Sequence, residues 1–349
     1  MSSGARWLAP DAPERLVEAL AERSYAVVAP RIEGGALELG EVGPGDVLPT
    51  GWRDEAGAGH YRLWQLPDDA PEAKERFGYT IGAHAWKRVL HPPEVHLLSV
   101  EHQQDGALRF DPEPPPRTKL ALLGVRPCDV AAIRIQDRVL MGADVVDAGY
   151  AGRREGAFIV AVECGRANAT CFCASMEGRS ASQAQTRARR TQLDAVSASM
   201  TRALDGASTR SALAVGAELP VWEAVAERCL SCGNCTLVCP TCFCTTVRDV
   251  GGPAEGKAER VRVWDSCFSL DFSHLHGGSV RRSVAARYRQ WLTHKLGTWF
   301  DQFGESGCVG CGRCIAWCPV GIDITAEAEL VVTQAAESAR PAAEKGRPE

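Results

Sequence analysis

The sequence predicts a mixed α/β (α+β) domain over residues 1–219, an α-helical domain over residues 220–335, and a disordered tail over residues 336–349. Three observations carry this division. Apolar runs of strand length recur through the first half and meet a helical pattern that begins at Cys128. Cysteine is absent before Cys128, sparse as far as Cys173, and dense between Cys229 and Cys318. A long stretch of helical spacing, residues 279–304, lies inside that dense part.

Taken in order, Asp11 with Glu14 three residues on and Pro13 in the first turn opens a helix whose apolar face is Leu16, Val17 and Leu20. YAVVAPRI (25–32) and ALELGEV (36–42) flank Glu33-Gly34-Gly35, the signal of a hairpin. HYRLWQL (60–66), VHLLSVEH (95–102), KLALLGV (119–125) and AFIVAVE (157–163) read as further strands. CDVAAIRIQDRVLM (128–141) reads as a helix that follows directly on a strand, and DPEPPPRT (111–118) as a loop. GRSASQAQTRARRTQ (178–192) is polar, small and basic, and reads as an exposed loop or linker. SALAVGAEL (211–219) predicts one more strand that closes the first domain; Pro220 then opens a helix over VWEAVAER.

Bulk composition excludes several classes. Apolar content of 45% and charged content of 24% are ordinary for a soluble globular protein. No apolar run is long enough to span a bilayer, and the first residues, MSSGARWLAPDAPERL, have no hydrophobic segment, so the expected location is cytoplasmic. The net charge of −5 argues against a nucleic-acid partner. Fifteen cysteines without an export signal predict reduced thiols, and reduced thiols in number predict metal ligation rather than disulfides. There is no Walker A pattern and no Gly-x-Gly-x-x-Gly between strand and helix, so no nucleotide or flavin site is read from motif.

The specific signal is a repeated run. CLSCGNCTLVCP (229–240) and CVGCGRCIAWCP (308–319) share the spacing Cys-x2-Cys-x2-Cys-x3-Cys-Pro, the bacterial ferredoxin pattern for [4Fe–4S] clusters. A cubane presents four irons, each wanting one soft thiolate, and three cysteines at intervals of three let a tight loop wrap three corners. Gly233 and Gly312 relieve crowding where that loop turns. The fourth cysteine, before proline, is carried away to the other cluster. One cluster is therefore assigned to Cys229, Cys232, Cys235 and Cys318, the other to Cys308, Cys311, Cys314 and Cys239. A zinc site asks instead for two Cys-x-x-Cys pairs. Between the runs, Val280, Val284, Tyr288, Trp291, Leu292, Leu296, Trp299 and Phe303 recur at helical spacing, with Gly277-Gly278-Ser279 as a start and Gly304 as a stop.

Helices between the runs resemble the α-helical ferredoxin architecture of respiratory dehydrogenase iron–sulfur subunits. More of the chain is similar to one family. GVRPCDVAAI (124–133), CFCASM (171–176), CPTCFCTTV (239–247), WDSCFSLDFSHLHGGSVR (264–281) and SGCVGCGRCIAWCPVGIDIT (306–325) resemble the β subunit of cytosolic sulfhydrogenases, which are NAD(P)-linked nickel–iron hydrogenases. The corresponding iron–sulfur subunit of anaerobic sulfite reductases is a near relative. The resemblance implies an electron-transfer subunit that relays single electrons. Its partners would be a flavin subunit that exchanges hydride with NAD(P)H, and the small and large hydrogenase subunits. The flavin performs the two-electron to one-electron conversion, so this chain needs only clusters.

Seven cysteines remain. Cys128 stands at a strand-to-helix junction, where a helix N-terminus lowers a thiol pKa. Cys164 ends a strand, and Cys171 and Cys173 follow in the next loop. Neighbouring strand ends in a parallel sheet converge on one edge, which makes these four candidates for a third [4Fe–4S] cluster. A four-thiolate zinc site and plain buried thiols are the alternatives. Cys242, Cys244 and Cys267 are one short of a cubane and are read as packing beside the clusters. Arg281, Arg282, Arg287, Arg289 and Lys295 make the long helix basic on one side, read as a solvated face, with a docking surface for an acidic partner as the alternative. Trp291 and Trp299 are read as core. Beside electron transfer in a hydrogenase stand electron transfer in a sulfite reductase, a catalyst with an open iron corner in the N-terminal site, and a docking scaffold for the flavin partner.

Overall fold

The protein is known from a computed structural model that describes residues 8–142, 144–176, 187–252 and 256–340. After helix α1 (Ala12–Ala21), strands β1 (Tyr25–Glu33) and β2 (Ala36–Val42) form the expected hairpin. A second hairpin, β3 (Trp52–Gly57) and β4 (His60–Gln65), the short helix α2 (Lys87–Leu90), and the strands β5 (Glu94–His102) and β6 (Leu108–Pro112) follow. Strand β7 (Lys119–Val125) then leads into α3 (Pro127–Met141), α4 (Ala148–Arg154) and β8 (Phe158–Ala161). The first sheet has the order β2-β1-β7-β8, with β1, β7 and β8 mutually parallel. Its residues alternate between two covered faces, as a parallel sheet requires. Val27, Ala29, Ala121 and Leu123 pack with Val17 and Leu20 of α1 on one side. Val28, Leu120 and Leu122 pack with Trp86, Leu90, Ile133 and Tyr150 on the other.

The remaining helices are α5 (Arg187–Ala198), α6 (Gly206–Val215), α7 (Val221–Ala226), α8 (Asn234–Leu237), α9 (Val284–Thr293), α10 (Trp299–Phe303), α11 (Arg313–Ala316) and α12 (Ile324–Ala339). A π-helical turn, His294–Thr298, joins α9 to α10. Helices α6, α7, α9 and α12 enclose the largest core, which includes Leu213, Trp222, Val225, Tyr288, Trp291, Leu292, Ile315, Ile324 and Val331. Between the two cysteine runs the chain also forms β9 (Thr245–Gly252) and β10 (Lys257–Trp264), which complete an antiparallel sheet of order β6-β5-β10-β9. Strand pairing thus crosses residues 219–220. Among the described residues no helix is long and apolar enough to cross a membrane.

Several expectations are corrected. Residues 211–219 are not a strand; 211–215 lie in α6, where the Asp205 side chain accepts hydrogen bonds from the N–H groups of Ala207 and Ser208 and Thr209, Ala212 and Leu213 form the buried face. A short apolar run cannot by itself separate strand from buried helix. Residues 187–192 begin α5 instead of continuing a linker, whereas 178–186 lie outside the described residues. Asp11 makes no side-chain cap, and the Glu14 side chain, expected to reach back to it, is paired instead with Arg76. The helix between the runs starts at a Ser283 cap, leaving Val280 exposed, and its basic face is only partly solvated: Arg287 and Lys295 are buried. Trp291 and Trp299 are core, as read. Helix α12 runs past residue 336 to Ala339, and 341–349 lie outside the described residues.

One ion pair fastens the cysteine-rich part to the first sheet. Arg313, at the start of α11, makes a bidentate pair with Asp129 in the first turn of α3, at 2.8 and 3.0 Å, and both are buried. Asp129→Asn leaves a buried guanidinium without its counter-charge and should cost about 3–5 kcal/mol in anaerobic denaturant unfolding. Asp249→Asn, which breaks the exposed Arg260 pair, should leave the midpoint where it was.

Candidate metal centres

The two runs fold alike. Gly233 and Gly312 both adopt φ +73° and open the short helices α8 and α11, each of which carries the third cysteine of its run, Cys235 and Cys314. In each loop a backbone N–H two residues on donates to the first cysteine sulfur: Ser231 N to Cys229 Sγ and Gly310 N to Cys308 Sγ, both at 3.4 Å. Such N–H···S bonds favour the thiolate a metal needs and tune what it binds.

Cys229, Cys232, Cys235 and Cys318 line one cavity of about 450 Å³ with Phe268, Tyr288 and Trp291. The fourth cysteine of the second run thus stands with the first three of the first run, and Ile322 N donates to its sulfur at 3.3 Å. The Tyr288 hydroxyl and the Trp291 indole N–H are buried without a partner, although both side chains line this cavity. Buried donors in that position cost free energy unless an acceptor fills the space. Four soft thiols and two idle donors are a suitable lining for an anionic sulfide-containing group.

The complementary set gathers around Cys314. Burial, then the neighbouring Cys308, Cys311 and Cys239 thiols, push its pKa well up. Burial likewise pushes the Cys308 thiol up to about 12. Ligation of such thiols must displace their protons. Cys239 has further company: Cys242 donates to it, which draws its pKa well down, and Thr241 Oγ1 lies 3.2 Å from its sulfur.

A second cavity, of about 520 Å³, is lined by Cys128, Cys164, Cys171 and Cys173 together, with Cys311 at its border. Cys128 follows β7 and Cys164 follows β8, adjacent parallel strands whose carboxyl ends share an edge. The loop bearing Cys171 and Cys173 is held against the second run, where Phe172 N donates to Gly310 O at 2.9 Å. Arg126 and Arg166 line the same cavity; Arg126 is anchored on the carbonyls of Phe77 and Tyr79, and Arg166 on Asp54. Leu193, Val196 and Met200, on or just after α5, form a wall, so the helix that follows the stretch read as linker is part of the site. Its signal was the 3-then-4 spacing of those three apolar residues. The helix N-terminus does not lower the Cys128 thiol as expected, because burial outweighs it and drives the pKa well up.

Cys242, Cys244 and Cys267 do not form a fourth set. Cys267 donates to Cys244, and that bond, aided by Lys295 and Lys87, draws Cys244 down to about 7. Among the described residues no three His, Cys, Asp or Glu side chains close on one point as a single metal ion asks. That is the arrangement a lone zinc would need. Lys87, which no signal in the sequence singled out, and Lys295, expected on a solvated face, are buried among the thiols; the placement of Lys295 four residues from both Trp291 and Trp299, on the apolar face, was the available clue.

A family described as a 4Fe-4S dicluster domain matches residues 228–322. The chain is similar to sulfhydrogenase 2 subunit beta of Pyrococcus furiosus, with 30% identity over 244 residues, which are 59% of this chain and 72% of that protein. No solved structure matches the chain.

A Cβ on Gly312 would meet Thr170 C at 2.5 Å and Thr170 Cβ at 2.7 Å, in a left-handed backbone conformation. Gly312→Ala should cost about 2 kcal/mol or more and lower the iron retained after anaerobic purification. Gly43→Ala, whose Cβ meets nothing within 4 Å, should change neither unfolding nor iron content.

Proposed function

Because the chain belongs to the family of sulfhydrogenase β subunits, iron–sulfur proteins of electron transport, we propose that it relays single electrons between a flavin subunit that exchanges hydride with NAD(P)H and the small and large subunits of a nickel–iron hydrogenase. In this reading residues 220–335 are an α-helical ferredoxin-like domain with two [4Fe–4S] clusters. Cys229, Cys232, Cys235 and Cys318 hold one, and Cys308, Cys311, Cys314 and Cys239 the other. Residues 1–219 form the domain of a third cluster on Cys128, Cys164, Cys171 and Cys173. Each bound cluster would supply reversible one-electron storage without proton transfer. The protein's reduced thiol chemistry suits a cytoplasmic setting.

The observation that carries the reading is the crossing of Cys318 into the cavity of the first run, the exchange that two-cluster ferredoxins make. The chain's own residues do the rest. Phe268, Tyr288, Trp291 and Ile322 exclude water around the first site. Cys311 borders both the second set and the third cavity, so clusters held at those two places would be neighbours through one shared residue. Four thiols line the third cavity and would meet every iron of a bound cubane, which favours a relay over a catalyst with an open iron. Nickel in the purified complex selects the hydrogenase; sirohaem would select a sulfite reductase.

Iron and acid-labile sulfide in anaerobic protein should approach about twelve of each per chain, four for each cubane. The Cys171→Ala/Cys173→Ala double variant should fall to about eight. A fully loaded wild type with about eight iron would remove the third cluster.

A further inference from the structure

Lys295 and Lys87 are long cationic side chains enclosed in a thiol-rich interior, with relative exposures of 3% and 6%. Neither has a carboxylate partner among the described residues. Isolated buried charges are too costly to persist without compensation. The Lys295 ammonium donates to Thr241 Oγ1 at 2.8 Å and to Gly307 O at 3.0 Å. Lys87 donates to Thr236 O at 3.3 Å and stands 3.9 Å above the Trp264 ring. All these partners are neutral, so the compensating negative charge must come from elsewhere.

The hydrogen bonds point to where. Thr241 Oγ1 faces two acceptors, Gly307 O at 2.6 Å and Cys239 Sγ at 3.2 Å. Lys295 already donates to Gly307 O, so the threonine proton is free to turn to the sulfur once Cys239 is a thiolate. Charge on the lysine polarises the hydroxyl, and the hydroxyl stabilises the sulfur. The first cavity is served differently: Tyr288 and Trp291 face it as neutral idle donors, and the buried Arg287, whose charge favours the Cys229 thiolate, is held on the carbonyls of Arg281 and Arg282 and on Ser231 Oγ. The π-helical turn contributes Lys295 together with Leu296 and Gly297 to the interior, and π turns inside helices frequently mark functional positions.

We propose that Lys295, acting through Thr241 on the Cys239 sulfur and supported by Lys87, is the resident counter-charge of the centre held by Cys239, Cys308, Cys311 and Cys314, and raises that centre's reduction potential. The inference rests on the cluster assignment above. An arriving electron adds one negative charge to this centre, and Lys295 stabilises it without any proton uptake. Net charge and hydrogen bonds to sulfur are established determinants of cluster potential. Lys295 is a positioning and tuning residue, touching no substrate.

The test is an EPR-monitored redox titration of the full chain, prepared anaerobically, with iron content measured on every sample. The signal of the second centre is identified by its loss in Cys308→Ala. Lys295→Met should shift that signal alone to lower potential, Thr241→Val should shift it less in the same direction, and Lys295→Arg should leave it near the wild-type value. If Lys295→Met fails to retain iron, Thr241→Val and Lys87→Met decide: a downward shift of the same signal supports the proposal, and unmoved potentials overturn it. Unmoved potentials in a fully loaded Lys295→Met also overturn it. A Cys308→Ala protein that keeps every signal and all its iron would instead overturn the cluster assignment.

Discussion

The exchange of the fourth cysteine between two like loops is the constraint on which the rest of this structure depends. Cys318 can reach the first cavity only if both runs lie side by side, and Cys239 can join Cys314 only in the same arrangement. Everything between residues 241 and 307 must therefore leave and return to one place. It does so by two excursions: the β9–β10 hairpin, which joins β5 in the second sheet, and the α9–α10 helix with its π-helical turn, which closes the core against α6, α7 and α12. The second loop is further held from outside by the Thr170–Cys173 segment and by the Arg313–Asp129 pair.

Charge is the second consideration. Burial favours the neutral thiol at most of these positions and raises Cys171 and Cys308 alike to about 12, whereas hydrogen bonds from neighbouring thiols draw Cys239 and Cys244 down. Once ligating, they concentrate negative charge in a dry interior, where it must be met by nearby cations or donors. The fold supplies a different answer at each place: Arg126 and Arg166 at the third cavity, neutral donors with the buried Arg287 at the first, and a lysine held by a threonine and a carbonyl at the second. Three sets of thiols in three electrostatic settings suit the directed relay proposed above.

The cysteine runs were legible because a cubane dictates both ligand type and spacing, and a loop that wraps three corners leaves little freedom. The β1–β2 hairpin and β7–α3 were legible from turn glycines and from apolar runs of strand length meeting a helical pattern. Strands β9 and β10 were not, because that hairpin is largely exposed and lacks the apolar pattern that burial imposes. Helix α6 read as a strand because Ser211–Leu219 is a short apolar run, and the decisive Asp205 cap lies six residues before it. Lys295 read as a solvated cation because charged residues ordinarily are; only the thiols around it make its burial intelligible.

The central claim is that cysteines distant in sequence share clusters in the crossed arrangement, and the most direct measurement is anomalous diffraction at the iron edge from anaerobic crystals. The account predicts three compact iron peaks, one among Cys229, Cys232, Cys235 and Cys318, one among Cys308, Cys311, Cys314 and Cys239, and one in the cavity of Cys128, Cys164, Cys171 and Cys173. Iron bound by each run's own four cysteines, with Cys239 beside Cys235 and Cys318 beside Cys314, would contradict it.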